Sequence, residues 1–281
     1  MAGEKLHADD TPVAVLAPSR GRTRTGRSWA YVRDDRPAGI AEPAAVRFGY
    51  SPDRKGEHPA RHLKSFSGIV QADAYDGLNA LYRTGRIEQA TCWAHVWPKV
   101  YVIAQQHAGP VALDAIARLG QLYGVEAQIR GGPVDCLRQL RQARAAPVLA
   151  SWHDWLRDTS RSLARKSALA EAIHYALARW TAPTGYVDDG RIEIDNNAAE
   201  RALCVVVLGR KNYLFTGSDA GGHSAAALYS LLGTAALNGV EPIAYLRGVW
   251  AHIAEHPVNR IQELLSWHLA LPENAVAVQA A

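Results

Sequence analysis

Three acidic positions lie where the sequence predicts that a strand ends or a helix begins. Asp9, beside Asp10, belongs to a segment in which apolar and polar residues alternate, and Asp73 ends the short segment IVQAD. Glu200 falls in the first turn of a predicted helix. Because acids at the ends of neighbouring strands can converge in space, these residues are candidates for one site. Two aspartates and a glutamate suffice as protein ligands for Mg²⁺, which also keeps water and substrate phosphates.

Such a site is suited to phosphoryl transfer. Two ions about 3.5–4 Å apart can stabilise both the attacking and the leaving oxygen of an in-line displacement. Without the ions, clustered carboxylates repel one another and one of them takes up a proton. The spacing alone is weak support, because the chain contains 27 acidic residues.

Each acid also has a purely structural interpretation. Asp9 can be a solvated residue at a strand end, and Asp73 can begin a turn. Glu200 can be the reciprocal partner of Asn197 in a capping box, since the segment NAAE precedes an apolar run. The residues surrounding the acids must therefore distinguish these interpretations.

The acids are embedded in longer segments that are more specific than their spacing. In chain order these are HADDTPVAVL, SWAYVRDDRPAG, EHPARHLKSFSGIVQADAYDGLN, CWAH, IDNNAAERAL, LGRKNYLFTGSDAGG and LNGVEPIAYL. Together they resemble transposases of insertion-sequence family 66. The resemblance extends from about residue 6 to Trp267.

The resemblance implies a DDE transposase that cleaves DNA at transposon ends and transfers the strand in a metal-dependent reaction. It implies that Asp9, Asp73 and Glu200 are the catalytic and metal-binding acids, with Asp10 as the rival for the first position. The expected cofactor is Mg²⁺ or Mn²⁺, as two ions. The expected partners are double-stranded DNA, further copies of the chain on DNA, and companion proteins of the same element.

The expected fold is α/β, with an RNase H-like mixed sheet as its core. We expect residues 1–106 to form the first part of this core and residues 107–183 a mostly helical insertion. The core should end with residues 184–221, which carry the third acid, and residues 222–281 should form a helical C-terminal region. Apolar residues at intervals of three and four support the helical assignments.

Local patterns predict the elements that position the acids. Two short strands are expected within residues 5–17, separated at Thr11-Pro12, and a third at residues 28–33. The arginine-rich segment before the third strand is expected to be a loop, as are residues 34–62 apart from one helical turn. Further short strands are expected from Ile69, from Ile87 and at residues 192–194. Pro147 is expected to separate two helices.

Composition fits a cytoplasmic protein, and the family resemblance implies a bacterial one associated with the nucleoid. Of 281 residues, 48% are hydrophobic and 21% are charged, and the net charge is +4. Three cysteines without a C-x-x-C pair fit a reducing compartment and do not indicate a disulfide framework or a cysteine-rich zinc site. The N-terminus lacks the apolar region of a signal peptide, and the most apolar stretch is too short to span a bilayer.

Basic residues that flank the acids are candidates for phosphate contacts, which position DNA without reading its sequence. These candidates are Arg20, Arg22, Arg24, Arg27, Arg61, Lys64, Arg210 and Lys211. For any single one of them, a solvated surface position is the alternative. His7 and His95 are interpreted as hydrogen-bonded structural residues.

The chain also departs from the family pattern. Members usually carry a DNA-recognition region before the first acid, whereas eight residues precede Asp9, so we expect specific recognition of transposon ends to be absent. Pro98 and Cys204 stand where basic or helical residues are usual. Two alternatives therefore stay open, a truncated inactive remnant that only binds DNA and a structure-directed RNase H-like nuclease.

Overall fold

A computed structural model describes residues 4–18, 21–73, 75–92, 110–164, 167–178 and 180–270. It shows an α/β protein with one five-stranded mixed sheet. The strands are β1 (Lys5–Ala17), β2 (Arg22–Arg33), β3 (Ala45–Ser51), β4 (Gly68–Ala72) and β5 (Ile87–Thr91). Their order is β3-β2-β1-β4-β5. Strands β1, β2 and β3 form an antiparallel meander, and β4 and β5 continue the sheet parallel to β1.

Nine helices are found in the part of the chain that the structure describes. They are α1 (Glu57–His62), α2 (Asn79–Tyr82), α3 (Pro110–Ile129), α4 (Val134–Ser162), α5 (Ala168–Ala178), α6 (Thr181–Thr184), α7 (Asn197–Gly209), α8 (Asp219–Leu237) and α9 (Pro242–Ile253). Short 3-10 helices are Arg36–Ala38, Asp76–Leu78, Gly185–Val187 and Val258–Leu264. No helix among the described residues is both long and apolar enough to cross a bilayer.

The pleat of β1 divides the core around the sheet into two parts, because successive side chains point to opposite faces. Leu6 and Ala8 pack with residues of α2 and of the segments around α1. Val13 and Val15 pack on the other face, against α7 and α8. A separate cluster joins α3, α4 and α5, as the helical periodicity predicts.

The prediction of two strands within residues 5–17 was wrong, since β1 continues through Pro12. The carbonyl of Pro12 accepts a hydrogen bond from Arg210 at the edge of β1 that faces away from β2. The ring nitrogen of Pro12 faces the same edge, beyond the point where pairing with β4 ends at Ala8. Proline therefore removes no bond from the β1–β2 ladder.

Three further predictions of irregular or broken structure were wrong. Strand β2 begins at Arg22, so the arginines after it lie on a strand and not in a loop. Residues 34–62 contain strand β3, which α8 covers. Helix α4 continues through Pro147. The proline is exposed on one side of the helix, and the buried residues between Leu137 and Leu156 pack on the opposite side and hold the helix together.

The segment at residues 192–194 is irregular and not extended as predicted. The strands expected from Ile69 and Ile87 are present as β4 and β5, each beginning within one residue of the expected start. The region after residue 222, which was expected to be helical, contains most of α8 and all of α9. Pro98 and His95 lie outside the described residues.

Candidate functional site

The parallel pairing of β1 with β4 makes Asp9 and Asp73 neighbours. The register aligns Ala8 of β1 with Ala72 of β4, so the residues that follow them are Asp9 and Asp73. Ala8 faces the core beside α2, and Asp9 therefore points to the other face of the sheet, where α7 packs. Two of the three predicted acids thus lie at adjoining positions of the central strands.

Asp9 is partly buried, and the charges of the other acids affect the pKa of its carboxyl. Burial is the largest cause that raises its pKa, from the ordinary 3.8 to about 7, although a 2.7 Å hydrogen bond from the Asp10 backbone N–H opposes this. The charges of Asp73, Asp10 and Glu200 each raise the pKa further. Three distant parts of the chain therefore place carboxylates in one electrostatic environment.

Asp10 is engaged with two arginines, and only 2% of its side chain is exposed. Its Oδ1 accepts a hydrogen bond from Nε of Arg54 at 3.0 Å and lies 2.8 Å from Nη2 of the same residue, and its Oδ2 lies 3.1 Å from Nη1 of Arg27. Arg54 also stacks on the ring of Tyr75 and places Nη2 3.6 Å from Oδ2 of Asp73. Asp10 is thus the counter-charge of two arginines, and Arg54 is a cation beside the candidate site.

Glu200 lies in the first turn of α7, but the predicted capping box is absent. The N-cap residue is Asn196, whose side chain makes no capping hydrogen bond. Asn197 instead donates through its backbone and its side chain to Asp195, at 3.1 and 2.7 Å. The start of α7 is therefore held by Asp195, and the charge of Glu200 acts on Asp9.

A buried polar network fixes the segment before α7 against the two central strands. Oε1 of Glu193 accepts hydrogen bonds from Lys5 and His7 of β1, at 3.0 and 2.9 Å. Gln71 of β4 donates from Nε2 to the carbonyls of Glu193 and Asp195, and its Oε1 accepts from the Glu193 backbone N–H. Burial acts to raise the pKa of Glu193, but the hydrogen bond from His7 and the charge of Lys5 hold it well below its usual range.

Asn196 completes this network by contacting Ala8, the residue before Asp9 on β1. Its Nδ2 donates to the carbonyl of Ala8 at 3.0 Å, so its Oδ1 faces Nδ1 of His7, also at 3.0 Å. Both ring nitrogens of His7 are therefore engaged, Nδ1 with Asn196 and Nε2 with Glu193. The sequence prediction that His7 is a hydrogen-bonded structural residue agrees with this geometry.

Arg141 connects helices α3 and α4 to the same segment. Its guanidinium is almost fully buried in α4 and pairs with Glu126 of α3 at 2.8 Å. Nη1 faces a group of backbone carbonyls, those of Tyr186, Asp189, Gly190 and Ile192, at 2.8–3.4 Å. These two helices therefore position the segment that leads to Glu200.

Several cations predicted to contact DNA have partners within the protein. Arg24 forms an ion pair with Asp219, and Arg27 contacts Asp10. Arg210 donates to the carbonyl of Pro12 and to the hydroxyl of Thr11. These contacts fix the three side chains. Arg24 and Arg27 are paired with carboxylates, whereas the described contacts of Arg210 are with a carbonyl and a hydroxyl.

The other predicted cations are on the surface. Arg22, Arg61, Lys64 and Lys211 are exposed, and Arg20 lies outside the described residues. Their role in contacting DNA stays a prediction.

Another group of potential metal ligands lies in the segment from β3 to α1. Within the described residues, Asp53, Glu57 and His58 are the group whose ligand atoms all lie within 4.8 Å of one another. His58 Nε2 lies 2.7 Å from Asp53 and its Nδ1 lies 3.4 Å from Arg61, so internal hydrogen bonds satisfy this histidine. The candidate acids Asp9, Asp73 and Glu200 do not form such a group.

Two family models match most of the chain. Residues 1–224 match the model described as Transposase IS66 family, and residues 230–267 match the model described as IS66 C-terminal element. This is a family of DNA-acting transposases. The chain belongs to the IS66 transposase family.

Similar proteins are found in Sinorhizobium fredii (strain NBRC 101917 / NGR234). The uncharacterized protein y4hP is 39% identical over all of this chain and 53% of its own length. The uncharacterized protein y4qI is 37% identical, over 95% of this chain and 51% of its own length. The chain spans about half the length of these relatives.

Proposed function

We propose that this chain carries the catalytic site of a DNA transposase that cleaves and transfers strands in a metal-dependent reaction, with Asp9, Asp73 and Glu200 as its acids. The observation that carries the proposal is their electrostatic convergence, in which Asp73 and Glu200 both raise the pKa of Asp9. Family membership supplies the reaction class. Double-stranded DNA at the transposon ends and at the target is the proposed partner.

An RNase H-like core is part of this proposal. The strand order β3-β2-β1-β4-β5, with the last two strands parallel to β1, fits the mixed sheet that the family resemblance implies. The first acid lies on β1 and the second directly after β4. The helical segment proposed for residues 107–183 separates these acids from Glu200, which returns to them on α7.

The donor set fits Mg²⁺ or Mn²⁺. These hard cations take oxygen ligands, and Asp9, Asp73 and Glu200 are carboxylates from separate elements. Burial is the largest cause of the raised pKa of Asp9, and the negative charges of Asp73, Asp10 and Glu200 raise it further; a divalent cation would relieve this repulsion. When bound, two such ions supply charge stabilisation to the attacking and leaving oxygens of phosphoryl transfer.

In the proposed reaction, a water oxygen attacks a phosphorus of the DNA backbone, and the bond to the 3′ oxygen breaks to leave a 3′-OH. This 3′-OH then attacks a phosphorus of the target strand, and the bond between that phosphorus and the 3′ oxygen of the target strand breaks. The contribution of the protein's own side chains is to position the three acids. The contacts of Gln71, Glu193 and Asn196 hold the start of α7 against β1 and β4, so Glu200 is presented to the two aspartates.

The decisive experiment is calorimetric titration of the 281-residue chain with Mn²⁺. We expect binding in the native chain, its loss in both Asp73→Asn and Glu200→Gln, and its retention in Asp76→Asn. Asp76 is the matched control because it is an exposed acid three residues from Asp73. Circular dichroism should show that all four proteins are folded. Unchanged binding in either site variant would contradict the proposed ligand set.

Activity distinguishes the transposase from the two alternatives. With Mg²⁺ or Mn²⁺, a short duplex with a free 3′-OH should be joined to a supercoiled plasmid by the native chain and by Asp76→Asn, but not by the site variants. A folded chain that binds duplex without metal-dependent cleavage would instead be a remnant. Cleavage of branched DNA without joining would identify a nuclease.

A further inference from the structure

The loop between α7 and α8 presents two large apolar side chains to solvent. Leu214 is 85% exposed and Phe215 is 41% exposed. Exposed apolar residues are common singly, but an adjacent pair at the tip of a loop indicates a contact that the isolated chain does not make. This segment, residues 210–216, is called the tip loop below.

The tip loop is fixed to the sheet. The backbone N–H of Thr216 donates to the carbonyl of Ala14, and the N–H of Leu16 donates to the carbonyl of Thr216, both at 2.8 Å. On the helix side, the hydroxyls of Tyr213 and Tyr229 are 3.1 Å apart. The apolar pair is therefore held between two anchored positions, Tyr213 and Thr216.

The tip loop lies on the edge of β1 that also carries the candidate acids. Strand β4 pairs with β1 only as far as Ala8, and further along the same edge Thr216 pairs with Val15. At about 3.4 Å per residue, Val15 is roughly 20 Å along the strand from Asp9. Pro12, whose carbonyl accepts a hydrogen bond from Arg210, is roughly 10 Å from Asp9 by the same measure.

The base of the tip loop is positively charged. Arg210 contacts a carbonyl and a hydroxyl, and no carboxylate in the described part of the chain forms an ion pair with it. Lys211 is exposed and forms no ion pair with any residue that the structure describes. Two cations beside an exposed apolar pair match the chemistry of a nucleic acid, whose phosphates attract the cations and whose base steps accept apolar side chains.

We propose that the tip loop is a DNA wedge, in which Leu214 and Phe215 insert between base pairs near the scissile phosphate while Arg210 and Lys211 contact the backbone. The inference rests on the proposed function, because it assumes that DNA lies across the acids. Insertion of this kind unstacks a base step and bends the duplex. The wedge would hold the duplex in a distorted form roughly 10–20 Å along β1 from Asp9.

The test measures base unstacking by the fluorescence of 2-aminopurine, placed at successive positions of a blunt duplex. EDTA is present, so that no cleavage occurs. At saturating native chain we expect a rise in fluorescence at one or two positions. The double variant Leu214→Ala with Phe215→Ala should lose most of this rise while its affinity for the duplex changes little. Leu228→Ala removes a comparably exposed leucine from α8 and should retain the rise.

A second variant separates insertion from phosphate contact. Lys211→Ala should weaken duplex binding and reduce the dependence of affinity on salt by about one counterion, with an unchanged rise at saturation. The proposal is overturned if the double variant retains the full rise, if the native chain causes none, or if it binds no duplex. It is also overturned if sedimentation shows that the apolar pair instead joins two copies of the chain.

The outcomes distinguish the wedge from the catalytic proposal. Mn²⁺ binding that depends on Asp73 and Glu200, without a fluorescence rise, rejects the wedge alone. A rise that depends on Leu214 and Phe215, without such Mn²⁺ binding, rejects the catalytic site and leaves a DNA-distorting protein.

Discussion

Asp9 should destabilise the metal-free protein at neutral and alkaline pH, because its pKa is about 7 in the folded chain and 3.8 ordinarily. Below about pH 4 the carboxyl is protonated in both states and has no effect on stability. Between pH 4 and 7 it ionises in the unfolded chain while the folded chain keeps it protonated, so stability falls as pH rises. Above pH 7 the full difference applies, roughly 4 kcal/mol at about 1.4 kcal/mol for each tenfold change in the proton equilibrium.

The variant Asp9→Asn removes this titration while it preserves the size of the side chain. In EDTA at pH 8 we expect it to be more stable than the native chain by up to about 4 kcal/mol, a rise in Tm on the order of 10 °C. At pH 4 the two proteins should unfold at similar temperatures. Thermal unfolding followed by circular dichroism measures both values, and Asp76→Asn, which changes an exposed acid, should match the native chain at each pH.

The same variant tests the role of the acid. Saturating Mg²⁺ should raise the Tm of the native chain at pH 8 and leave that of Asp9→Asn unchanged, because a ligand stabilises only the protein that binds it. If Asp9→Asn is less stable than the native chain at pH 8 in EDTA, Asp9 is an ordinary structural residue of β1 and the reasoning is refuted.

Two further predictions concern the residues around the acids. Asp10→Asn removes the carboxylate that pairs with Arg27 and leaves Arg54 with only the more distant Asp73, which should cost about 3 kcal/mol in urea denaturation. Mn²⁺ binding should persist, and loss of binding as complete as in Asp73→Asn would make Asp10 the first acid. Arg141→Met should lower the free energy of unfolding by about 3–5 kcal/mol, because Glu126 then stays buried without a partner. Arg141→Lys should recover little of this, since an ammonium does not reproduce the fork of a guanidinium, and a stability equal to that of the native chain would contradict the role assigned to its contacts.

The elements that carry the acids could be predicted from sequence because their signals are local. The short apolar runs at β4 and β5 and the helical periodicity of α3 to α5 depend on neighbouring residues. The register that brings Asp73 beside Asp9 is not local, and it followed only from the family resemblance.

The wrong predictions share a dependence on distant contacts. Whether Pro12 interrupts β1 depends on which edge its nitrogen faces, and whether Pro147 ends α4 depends on which side of the helix is buried. The network around Glu193 joins side chains from β1 and β4 to a segment far along the chain. No spacing in the sequence indicates that Gln71 pairs with the backbone of that segment.

The choice between Asp9 and Asp10 shows how one strand separates two chemically identical residues. Adjacent residues of β1 face opposite sides of the sheet, so Asp10 pairs with Arg54 and Arg27, while Asp9 is the carboxyl that the charges of Asp73 and Glu200 act on. The arginines offset the charge of Asp10, which acts to raise the pKa of Asp9. A carboxylate that pairs with no arginine is the better ligand for a divalent ion, because no arginine has to be displaced from it. On this argument we expect Asp9 to be the first acid and Asp10 to hold the arginines beside it.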